Sequence, residues 1–109
     1  MKSQARTQIP FHERHVTAVR NGVKRFTLRV DPGYDVQPLD EVDLVDQDRE
    51  LITEAQIDLV APVPAHWIPH WEFDGHRNYR TTAELIEELQ EYYPDTDLER
   101  NTLITVIGW

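Results

Sequence analysis

The sequence has no cysteine, one methionine, four glycines and only two lysines, Lys2 and Lys24, among its 109 residues. Without cysteine it can build no disulfide scaffold, zinc-thiolate site or iron–sulfur site, and it has no thiol nucleophile. No apolar run approaches transmembrane length, and the N-terminus shows no signal-peptide core, so a cytoplasmic protein without membrane contact is expected. No motif calls for a cofactor. Repeats, low-complexity segments and interdomain linkers are also missing. These features lead to one small domain over residues 9–109, preceded by a polar, frayed segment at 1–8.

Charge is abundant but unevenly placed. Twenty acids outweigh eleven basic residues to give a net charge of −9. Residues 1–30 sum to +6, and residues 31–109 sum to −15. Many carboxylates with few lysines are expected of a protein adapted to a salt-rich cytoplasm, where charge keeps chains hydrated and apart. An ordinary acidic mesophile is the alternative. At molar salt the screening length falls to about 3 Å, so a diffuse basic arm would hold nucleic acid poorly. Any such contact has to be short-range and hydrogen-bonded.

Hydrophobic residues make up only 39% of the chain, yet they fall in periodic runs, which argues against wholesale disorder. A short helix fits 11–21, with Pro10 before it, Asn21-Gly22 as its stop, and Val16, Val19 and Phe11 towards the core. In 23–30, Phe26, Leu28 and Val30 alternate with Arg25, Thr27 and Arg29, a half-buried strand. Asp31-Pro32-Gly33 is a turn. A second strand fits 41–46, with Val42 and Leu44 on one face, followed by a hairpin connection at 47–50. Residues 51–60 alternate as a strand, although their Glu and Ala content also suits a helix. Residues 61–80 read as a proline-rich loop. Thr81 and Glu84 form a capping box for a helix carrying Leu85, Leu89 and Tyr92 and ended by Pro94. Residues 102–107 form a last strand, apolar on both faces and therefore central. The expected class is α+β, a small mixed sheet of four to six strands with two main helices, curled into a compact barrel.

The segment from Gly22 to Arg29 carries the chemistry. A lysine among arginines can do what arginine cannot, namely lose its proton when desolvated or crowded by cations. A solvated lysine at a strand start would explain it equally well. The segment resembles the Gly-x-Lys-x-x-[Thr/Glu]-x-Arg signature of the ASCH domains, which have the PUA-like fold. Gly22, Lys24, Thr27 and Arg29 match it one by one. The resemblance extends over 9–109. An aromatic-containing helix precedes the signature, a Thr-x-x-Glu-Leu helix ending in Tyr-Tyr-Pro follows it, and a last strand closes the chain.

The resemblance implies a PUA-like β-barrel with the signature in a cleft, and an RNA or modified nucleoside as partner. One branch of the family removes acetyl from acetylcytidine. There the signature threonine is the proposed nucleophile, lysine its base, and an acid stands ahead of the late helix. Here Lys24 and Thr27 match, but the position of the acid falls on Asn78, which cannot exchange protons. Glu72 or Asp74 would serve only if the loop bends differently. Parity adds a condition: Thr27 and Arg29 share a strand face that Lys24 reaches only if 22–24 are still turn.

Other candidates have ordinary explanations. His66 and His70 stand four apart, with His76 nearby, but Pro69 lies between the first two and no further ligand motif accompanies them, so no metal is expected. Trp67, Trp71, Phe73 and Tyr79 either stack a base or cover the barrel end. His76, Arg77 and Arg80 fall at the cleft mouth implied by the resemblance. Glu84, Glu87, Glu88 and Glu91 read as the solvated face of the late helix.

The expected function is binding of RNA or a modified nucleoside through Lys24, Arg25, Thr27 and Arg29, with Asn78 or Arg80 opposite, in a monomer. The alternative is a small amidohydrolase acting through Lys24 and Thr27. A third option is an interaction module that docks its basic N-terminal segment on an acidic surface.

Overall fold

The computed structural model describes residues 6–31, 35–71 and 78–109. Among these described residues six strands form two three-stranded sheets. The first sheet has β1 (Gln8–Pro10) parallel to β3 (Glu41–Val45), and β4 (Leu51–Gln56) antiparallel on the other side of β3. The second has β6 (Leu103–Gly108) between β2 (Phe26–Arg29) and β5 (Leu59–Pro64), antiparallel to both. Helix α1 (Glu13–Arg20) lies between β1 and β2, and α2 (Thr82–Tyr92) precedes β6.

The α+β class and the central last strand are as expected. The barrel closure is not seen: the described strands stay in two separate sheets. The segment 51–60 is also not one strand. It breaks at Ile57, whose N–H donates to the Asp40 carbonyl at 2.8 Å while its own carbonyl accepts from Leu39. Asp58 N–H then donates to Gly108, which starts the chain on the second sheet. Alternation alone carries no mark of such a crossing.

The stretch read as a loop opens instead with β5, which contains Pro62 and Pro64. Proline has no N–H to give a ladder, and β5 tolerates two because it is an edge strand. A 3₁₀ helix, Ala65–His70, follows. Of the segment read as frayed, residues 1–5 lie outside the described residues. Thr7 accepts from Asp43 N–H at 3.0 Å, and Gln8 opens β1. The turn residues Pro32 and Gly33 also lie outside the described residues.

Because strand side chains alternate, β6 feeds two cores. Ile104 and Val106 join Leu28, Leu85, Leu89, Ile68 and Tyr79 under α2 and the 3₁₀ helix. Ile107 joins Ile9, Val42, Leu44 and Val19 between the sheets and α1. The Thr81 half of the expected capping box forms: Thr81 Oγ1 accepts from Glu84 N–H at 3.1 Å.

Candidate functional site

The end of α1 sets the site. Gly22 has φ +75°, a left-handed conformation that glycine adopts without strain. Gly22 N–H donates to Val19 at 3.2 Å, and Val23 N–H donates to Ala18 at 2.9 Å. These two bonds make a Schellman ending. Lys24 N–H adds a third bond, to Ala18 at 3.0 Å, and the strand starts only at Phe26. The condition set by parity is met. Residues 22–25 precede the regular strand, so Lys24 shares a cleft with Thr27 and Arg29.

The cleft has a volume of about 510 Å³. It opens between the β1–α1 corner, the start of β2 and the face of α2. Lys24 and Thr27 form its buried part, at 6% and 5% exposure, and they are the two polar residues among the buried side chains described. Arg29 lies across the wall. Its Nε donates to Thr27 Oγ1 at 2.9 Å, one terminal nitrogen donates to the Pro10 carbonyl at 2.6 Å, and the guanidinium stands 5.0 Å from the Phe11 ring centre. Arg29 thereby fixes the Thr27 side chain.

Lys24 is held in an unusual state. Burial, followed by the Arg29 charge, lowers its pKa from 10.5 to about 8, while Glu88 pulls in the opposite direction. Among the described residues no hydrogen-bond acceptor engages its ammonium. At pH 7 about a tenth of this amine is therefore neutral, far more than for an ordinary lysine.

Glu88 departs from the expectation of a solvated carboxylate face. It lines the cleft and accepts a hydrogen bond from the Tyr79 hydroxyl. The signal was in the helix period. At 100° per residue Glu88 lies about 60° from Leu85 and about 40° from Tyr92, inside the apolar arc, while Glu87 and Glu91 lie opposite. An acid does face Lys24 and Thr27, but from within α2.

Three expected site residues do not reach the cleft wall. Arg25 is exposed, and its Nε donates to the Trp109 carbonyl at 2.8 Å. Asn78 and Arg80 are exposed just ahead of α2 and line no part of the cleft. Glu72, Phe73, Asp74, His76 and Arg77 lie outside the described residues. Trp67 is exposed on the 3₁₀ helix, and Trp71 packs against the core under α2. The rings at the cleft are Phe11, Tyr79, Tyr92 and Tyr93. Sequence reading also missed His12, Arg14 and His15 at the mouth. Their signal was faint, since they share one end of an eight-residue helix whose partner across the cleft is distant in sequence.

His66 Nδ1 pairs with the Arg100 carbonyl at 2.9 Å, and no group of three or more potential metal ligands occurs among the described residues. Among those residues no helix is long and apolar enough to cross a membrane.

These features define a two-sheet α+β domain with a cleft where a loop lysine, a strand threonine and a helix glutamate meet. In three dimensions the chain is similar to the ASCH domain from Lactobacillus crispatus JV V101, with a TM-score of 0.68. The match covers 94% of this chain and 77% of that one, at 9% sequence identity. The chain has the fold of an ASCH domain. No family model matches the sequence, and no curated protein does.

Proposed function

We propose that the cleft binds a single nucleoside unit, free or as an unstacked residue of RNA, through Lys24, Thr27 and Arg29. The observation that carries this reading is the convergence of those three residues on one cleft of about 510 Å³. That volume suits one nucleoside and is too small for a duplex. Of the rings at the cleft Tyr92 is exposed and offers contact to a base, and Thr27 and Glu88 offer hydrogen bonds to its edge. The signature spacing and the ASCH-like fold support the same reading. Arg25, Asn78 and Arg80 take no part in it.

A specific observation favours a second reading. A threonine hydroxyl, a lysine with its pKa at about 8 and a carboxylate share the cleft, which suits hydrolysis of an acyl group from the exocyclic nitrogen of a base. Thr27 Oγ would attack the acyl carbon while neutral Lys24 takes the hydroxyl proton. The carbon–nitrogen bond then breaks, and Lys24 returns the proton to the leaving nitrogen. Water hydrolyses the threonine ester to the carboxylic acid and restores the hydroxyl. Glu88, held by Tyr79, favours the protonated lysine that forms midway.

Amide NMR shifts on titration with acetylcytidine test the first reading. Shifts are expected across residues 24–29, and a folded Lys24→Ala variant is expected to lose them. If acetylcytidine, cytidine and a short single-stranded RNA all leave the spectrum unchanged, the binding reading fails. Acetate release that rises with pH through 8 and disappears in Thr27→Ala supports hydrolysis. Undiminished release in that variant would exclude Thr27 as the nucleophile.

A further inference from the structure

The cleft has two chemically different ends. Lys24 and Thr27 are buried, whereas His12 and Arg14 are exposed on the first turn of α1 and its cap. At that open end the Arg14 guanidinium stands 4.9 Å from the Tyr92 ring centre and donates to the Tyr92 hydroxyl. His15 Nε2 lies 3.3 Å from the same oxygen. Arg14 is thus oriented by an aromatic hydroxyl and ring, and its remaining donors are left for another acceptor.

The charge balance of the wall is the reverse of the chain's. The protein carries a net −9, yet among the described residues the cleft wall holds Arg14, Lys24 and Arg29 against one acid, Glu88. Every ion pair among the described residues belongs to Arg6, on the other sheet. Among those residues neither Arg14 nor Arg29 has a carboxylate partner, in a sequence where carboxylates outnumber cations almost two to one. A partly enclosed wall of net positive charge, on a body of net negative charge, concentrates the field on an anion in the cleft.

Resting on the nucleoside reading above, we infer that the ligand carries a phosphate, held at the open end by Arg14 with His12 and His15 beside it. The cleft takes a nucleoside monophosphate unit in preference to a neutral nucleoside. The planar guanidinium can meet two phosphate oxygens at once, a short-range contact that survives screening better than diffuse attraction.

The test compares cytidine, cytidine 5′-monophosphate and inorganic phosphate by NMR titration, at a salt concentration where circular dichroism shows the chain folded. The monophosphate is expected to bind about tenfold more tightly than cytidine, and Arg14→Gln to reduce that ratio to about twofold or less. Arg14→Gln is also expected to abolish the shifts that inorganic phosphate induces at residues 12–15. If Arg14 only ties α1 to α2, the variant will lower the melting temperature and leave the ratio unchanged, which overturns the inference. Equal binding of cytidine and its monophosphate overturns it as well. Phosphate shifts that depend on Arg14, with no response to cytidine or its monophosphate, would reject the nucleoside reading and uphold the anion site. No Arg14-dependent response to any of the three probes rejects the anion site.

Discussion

Arg6 and Arg29 carry the same guanidinium into opposite settings. Arg6 lies over the first sheet within 4 Å of three carboxylates, Glu41, Asp43 and Glu54. Arg29 lies in the cleft wall against a hydroxyl, a carbonyl and an aromatic ring. The first setting is complete: its charge is matched several times over by the protein itself. The second is held in position by neutral groups, so the positive charge stays available to a ligand. It also acts on the protein, because Arg29 helps lower the pKa of Lys24. One region of the molecule uses arginine to join its own parts, and the other holds it in the wall of the candidate cleft.

The sharpest way to break this contrast is at Lys24. Folding disfavours its charged form, so the cost is full below pH 8, shrinks between pH 8 and 10.5, and vanishes above. The gap between 10.5 and about 8 corresponds to roughly 3 kcal/mol. Lys24→Met is therefore expected to be more stable than the wild type at pH 7, with the advantage fading by pH 10.5, while nucleotide binding falls by about a hundredfold. Thermal melts of both proteins across that pH range, with parallel titrations, check it. A variant less stable than wild type at every pH would contradict it.

Arg29→Lys tests whether charge alone is enough. Lysine keeps the charge but loses the planar fork that reaches both Thr27 and Pro10. Ligand affinity is expected to drop about tenfold, measured by titration calorimetry. Unchanged affinity would mean that the field matters and the fork does not.

Gly22→Ala acts one step back, on the turn that delivers Lys24. No atom would obstruct the added carbon, so the cost is backbone strain at φ +75° alone. It is expected to lower stability by about 1 kcal/mol, seen as a fall of a few degrees in melting temperature. Affinity for the cytidine monophosphate should fall with it. At the small end, Arg6→Ala is expected to cost less than about 1 kcal/mol, to matter less as salt rises, and to leave ligand binding unchanged. A loss of binding there would join the two regions that the structure separates.

The elements legible in the sequence were those with a local cause. Asn21-Gly22, the alternation around Phe26 to Val30, the Thr81–Glu84 cap and the two-faced final strand each announce themselves within a few residues. The hairpin at 47–50 also formed, with Asp46 Oδ1 accepting from the N–H groups of Asp48 and Glu50. What was missed depends on partners far away in sequence. The break at Ile57 follows from its bonds to Asp40 and Leu39, and prolines become acceptable in β5 only because that strand lies at an edge. At the candidate site, the resemblance to the ASCH signature singled out Lys24, Thr27 and Arg29, and the structure brings the three to one cleft. Arg25 was not separable from them until the Trp109 carbonyl was seen to engage it. Glu88 was hidden among four similar glutamates, and only its angle on the helix sets it apart.

The two prolines of β5 have an effect beyond this molecule. A bare sheet edge is a template on which a second copy can lay a strand, and growth from such an edge is a route to aggregation. Pro62 and Pro64 remove two backbone donors from the outer strand of the second sheet. A further strand arriving there would find its ladder broken at alternate positions. The second sheet is thereby blunted on its β5 side, at the edge away from the cleft-bearing strand β2. At high concentration the chain is guarded there against unwanted neighbours.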